Sequence, residues 1–69
     1  MEAISVCING KKRQVPAGTT LGSLIDLFQL KNKSVALELN HQVIERERYA
    51  ATHLNENDAI EIVQFVGGG

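Results

Sequence analysis

The stretch "TTLGSLIDLFQL", residues 19–30, constrains this chain more than any other, because it carries the one long helical periodicity in the sequence. Leu21, Leu24, Ile25 and Phe28 fall at i, i+3, i+4 and i+7, which gathers them into one apolar stripe, and Thr19 or Thr20 stands ready as the N-cap. A helix with one apolar stripe has to bury it, and the segments on either side read as strands. The helix therefore covers one face of a sheet. With 69 residues there is room for a single thin core and no second domain. Cys7 is the only cysteine, so no internal disulfide can form. No Cys/His cluster has metal-ligand spacing either, so the core is expected to stand on packing alone, in a reducing compartment.

The strands follow from alternation. In "ISVCI", Ile4, Val6 and Ile8 face one side while Ser5 and Cys7 face the other. Asn9-Gly10 comes next, a dipeptide that accepts positive φ at both central turn positions. "KKRQV" is therefore expected to return antiparallel as a polar edge strand, ended by Pro16 and Gly18. "VALELN" places Val35, Leu37 and Leu39 opposite Ala36 and Glu38, then turns at Asn40-His41 into a short "QVI". "ERERYAATHLNEND" reads as polar and irregular, with Tyr49 and Leu54 as anchors. The last strand, "AIEIVQFV", puts Ile60 and Ile62 on one face and Val63 and Phe65 on the other.

Three of the six glycines, Gly67, Gly68 and Gly69, close the sequence. Glycine loses the most conformational freedom on ordering and brings no side chain to a core, so a run of it does not stabilise a fold. Either the run is slack, or something needs backbone with nothing attached to it. Residues 1–66 are expected to form the domain and 67–69 a flexible C-terminal tail.

Hairpin, helix, strand pair and final strand make an α+β layout: a mixed sheet with one main helix packed on one face, in which the crossover helix lets the first and last strands pair in parallel. This is the β-grasp, or ubiquitin-like, arrangement. Through "ING", "TTLGSLI", "ERERYA" and "IEIVQFVGGG", the chain resembles the ubiquitin-like sulfur carrier family, and within it the carriers of thiamine biosynthesis. The resemblance covers the whole length, and its most specific element is the Gly-Gly end. It implies that an adenylating enzyme, using ATP and magnesium, activates the carboxylate of Gly69. Sulfur from a persulfide, supplied by a donor such as a cysteine desulfurase, then yields a thiocarboxylate for thiazole synthase. Activation is chemically required, since a terminal carboxyl with a pKa of roughly 3.5 is ionised and unreactive at neutral pH. Two alternatives share the activated glycine: the small subunit of molybdopterin synthase and a ubiquitin-like protein modifier.

The residues themselves point to a carrier rather than an enzyme. "GTTLGS" lacks the Lys-Ser/Thr of a phosphate-binding loop, and His41 and His53 stand alone in polar turns. No cofactor and no metal is expected on this chain. Cys7 sits in mid-strand without a neighbouring His or clustered cations in sequence, which favours packing over reactivity. A formal net charge of -1, with "KKR" at 11–13 as the only basic run, argues against nucleic acid. No stretch approaches the roughly 20 apolar residues of a membrane span, and "MEAISVCING" lacks a signal pattern, so a cytoplasmic protein is expected. Strand parity turns Ser5, Cys7, Ala36, Glu38, Glu61, Val63 and Phe65 away from the helix. Phe65, Val63, Val66, Gly67 and Gly68 are the candidate partner contacts and Gly69 the reactive residue.

Overall fold

Asn9 and Gly10 join β1 (Ala3–Ile8) to β2 (Lys11–Pro16) in a computed structural model that describes residues 2–31 and 33–65. Their φ angles of 51° and 82° are both left-handed, as a two-residue hairpin turn requires, and Ile8 faces Lys11 across it. The expected first hairpin is present, with β2 at the edge of the sheet. The expectations for Val66 and for the tail 67–69 lie outside the described residues.

Helix α1 (Leu21–Leu27) starts at Thr20, whose hydroxyl accepts the Ser23 amide at 3.1 Å while the Ser23 hydroxyl accepts the Thr20 amide at 2.8 Å. This reciprocal pair is a capping box with Ser in place of Glu. Thr19, the other candidate cap, is buried and donates its hydroxyl to the Pro16 carbonyl. The helix stops where Gln29 turns left-handed at φ 59°. The Leu30 amide donates to the Ile25 carbonyl and the Gln29 amide to that of Asp26, both characteristic of a Schellman end. Seven residues are too few for an isolated helix to persist in water, so α1 depends on its buried stripe. Leu21 and Leu24 are fully buried, and Ile25 and Phe28 pack at its margin.

β3 (Val35–Leu39), β4 (Gln42–Ile44) and β5 (Ala59–Gln64) complete a five-stranded mixed sheet in the order β2-β1-β5-β3-β4. β5 lies at its centre, parallel to β1 and antiparallel to β3. Val6, Ile8, Leu37 and Ile60 meet Leu21 and Leu24 from the sheet side in one core, as their alternation requires. This is a β-grasp fold.

The segment after β4 departs from expectation. Arg46–Ala51 winds into a 3₁₀ helix, whereas the sequence suggests irregular chain. Half of its six residues are charged and Tyr49 alone gives it a buried anchor, so no helical periodicity develops in the sequence. Gly22 lets this segment approach α1: a Cβ there would stand 3.4 Å from the Cα of Ala50. Leu54 is buried, as expected of an anchor.

Candidate functional site

The functional question concerns what precedes the glycine run, and that is β5. Parallel pairing with β1 ends at Ile8 and Ile60, after which the Asn9 side chain takes over. Its Oδ1 accepts the Ile62 amide at 2.7 Å and its Nδ2 donates to the Ile62 carbonyl at 3.2 Å, so one side-chain amide imitates a neighbouring strand. At the other end of β5, Asn40 Oδ1 accepts the Ala59 amide at 2.9 Å and its Nδ2 donates to Asp58 Oδ1 at 3.1 Å. Asp58 Oδ2 in turn accepts the Asn55 amide and shapes the turn that feeds β5. Both asparagines are left-handed turn residues, so two hairpin turns double as clamps on the strand that leads to the tail. Beyond Gln64, the Phe65 amide donates to the Ser34 carbonyl at 2.9 Å and carries the ladder one step further.

The face of the sheet away from α1 carries the apolar candidates. Phe65 is 57% exposed and Val63 48%, so neither folds over the sheet end nor lies under a loop. Val63 pairs with Ala36, whose small side chain leaves it standing proud. Val43, 72% exposed, adds an apolar position that sequence reading missed. It is opposite Glu38 in a strand of only three residues, where alternation has no length in which to show.

Pairing and packing also give two charged residues neighbours that are not adjacent in sequence. Lys12 stands opposite Cys7, and both line one shallow cavity on this face, so the thiol has the cationic neighbour that the local sequence lacks. Arg13, part of the basic run, lies on the other side with its guanidinium carbon 5.7 Å from the centre of the Phe28 ring. It therefore covers the helix stripe by a cation–π contact. His41 is exposed in its turn, whereas His53, also exposed, lies not in a turn as expected but in an antiparallel bridge to Thr20 at the start of α1. Among the described residues, no helix is long and apolar enough to cross a membrane.

A β-grasp body whose clamped central strand leads directly into a three-glycine run has the form of a ubiquitin-like carrier. The chain belongs to the ThiS family, the sulfur carriers of thiamine biosynthesis, whose model matches residues 4–69. It is 44% identical over 63 residues to the sulfur carrier protein ThiS of Bacillus subtilis, which covers 90% of this chain and 96% of that protein. A crystal structure of the thiamine biosynthesis protein ThiS from Geobacter metallireducens superposes with a TM-score of 0.81 at 32% identity, covering 96% of this chain and 100% of that one. A thiazole synthase of Magnetococcus marinus is 39% identical over 66 residues, and the chain spans 20% of that longer protein.

Proposed function

We propose that the chain acts as a co-substrate that delivers sulfur for thiazole formation, with Gly69 as the reacting residue. The observation that carries this reading is a family match that runs from residue 4 to residue 69, so that it takes in the β-grasp body together with the glycine run. In the proposed cycle a partner enzyme holds ATP and magnesium, and the Gly69 carboxylate attacks the α-phosphorus and releases pyrophosphate. The outer sulfur of a cysteine-derived persulfide then displaces AMP to form an acyl disulfide, and a second thiol cleaves its S–S bond, leaving a thiocarboxylate on Gly69 and a disulfide between that thiol and the donor cysteine. The acceptor is thiazole synthase, a partner supported by relatives of that name that contain a segment similar to this chain. We place the cycle in the cytoplasm, where thiols and persulfides stay reduced.

Purification from a cell with the matching pathway tests this directly. Part of the pool is expected to show, in its intact mass, one oxygen replaced by sulfur, and a thioacid-specific reagent is expected to label Gly69. Label on Cys7 in its place would assign the sulfur to the wrong atom and overturn the reading.

The exposed Phe65 and Val63 are the proposed partner contacts, with Val66, Gly67 and Gly68 entering the partner's channel. An exposed aromatic beside a small apolar residue suits a binding anchor. Phe65→Ala is expected to weaken the complex with the adenylating enzyme by about 2 kcal/mol, roughly thirtyfold in Kd, without loss of the fold. Titration calorimetry together with a thermal melt checks both halves. An unchanged Kd, or an unfolded variant, contradicts the assignment.

A further inference from the structure

At the end of the sheet where β5 leaves it, α1, β3 and the 3₁₀ segment enclose a cavity of about 220 Å³. Its floor is apolar, with Val35 and Tyr49 buried there, while Lys31, Lys33 and Arg46 line it as exposed residues. These are three of the seven Lys and Arg residues in a chain of net charge -1, drawn together from two separate segments. Glu45 and Glu47 flank Arg46 in sequence, yet neither lines the cavity. Its position matters as much as its charge. Val35 pairs with Gln64, and Ser34, next to Lys33, receives the Phe65 amide, so the cations border the root of the tail.

We propose that Lys31, Lys33 and Arg46 form an electrostatic seat for acidic side chains on the rim of the channel through which the adenylating enzyme takes up the tail. The inference rests on the carrier reading above. Four residues beyond Phe65 span at most about 13–14 Å when extended. While the carboxylate reacts at the far end, the root therefore lies at the channel mouth, and what meets the seat is the enzyme's surface and not the nucleotide. A concave site with apolar side chains in its floor lets carboxylates approach the cations with less screening than on an open surface. Charge complementarity of this kind acts on encounter and register and leaves the chemical step alone.

The test is steady-state ATP–pyrophosphate exchange with the adenylating enzyme, comparing the parent with K31E/K33E/R46E and with the neutral K31Q/K33Q/R46Q. All three side chains are exposed, so circular dichroism melts are expected to match the parent. The charge-reversed variant is expected to raise the KM for the carrier at least about tenfold at low salt, with kcat at saturation unchanged. The neutral variant is expected to fall between, and the difference is expected to shrink as salt is added. An unchanged KM for the carrier overturns the seat and leaves the carrier reading intact. A raised KM for ATP alone also overturns it, by making nucleotide phosphate the occupant. No exchange by the parent chain would remove the carrier reading and the seat together.

Discussion

Deleting Gly69, or adding one residue after it, is expected to lower ATP–pyrophosphate exchange by at least about a hundredfold while leaving the thermal midpoint unchanged. The rate effect follows from geometry. Each change moves the reacting carbonyl by one residue, about 3.3–3.6 Å in an extended chain, and a misplacement of about 1 Å already costs on the order of a hundredfold. The unchanged midpoint follows from the core, whose residues and the hydrophobics packed against them run from Ile4 to Ile62. Gly68→Val is expected to act in the same direction, because a β-branched side chain both widens the tail and narrows its φ, ψ choices. Exchange at the parental rate by all three variants would show that the body, and not the terminus, is what the partner recognises.

Leu24→Ala is expected to cost about 2–5 kcal/mol, the usual range for a buried leucine. For a domain of this length, total stability at about 0.05–0.15 kcal/mol per residue is only about 3–10 kcal/mol, so this one change is expected to leave a large unfolded fraction near 37 °C. Leu24 is fully buried at the middle of a seven-residue helix that cannot persist alone. Its loss therefore removes the grip of helix on sheet along with the contact itself. Leu27, on the same helix but 55% exposed, supplies the control: Leu27→Ala is expected to stay within about 0.5 kcal/mol. Urea denaturation of the two variants separates them, and equal midpoints would refute the packing account.

The helix stripe, the Asn9-Gly10 hairpin and the in–out alternation of β1, β3 and β5 were legible in sequence for a common reason. Each is a periodic or nearest-neighbour signal, carried by residues a few positions apart. The outward placement of Val63 and Phe65 came from the same alternation. What escaped lies in contacts between distant segments. Asn9 reads locally as a turn residue, and nothing near it indicates that its side chain reaches Ile62 fifty-three positions later. Lys31 and Lys33 stand in the short "KNK" and Arg46 in the mixed-charge "ERER", neither basic enough to be noticed, and the fold makes them one group. Lys12 opposite Cys7 is different, since it follows from the register of the hairpin that the sequence does show. The 3₁₀ segment escaped for a different reason, since six residues, half of them charged, around one buried tyrosine hold too short a pattern to read.

The two asparagine clamps also bear on what happens when a partner pulls. Tension along the tail acts along the axis of β5, and β5 is held on both flanks: by β1 and Asn9 on one side, by β3 on the other, and by Asn40 at its start. Such a load shears these hydrogen bonds together, whereas an edge strand pulled sideways would give them up one at a time. A central strand anchored in this way resists extraction. An enzyme can therefore draw the tail taut, and hold it so through a chemical step, without unravelling the body to which the tail belongs.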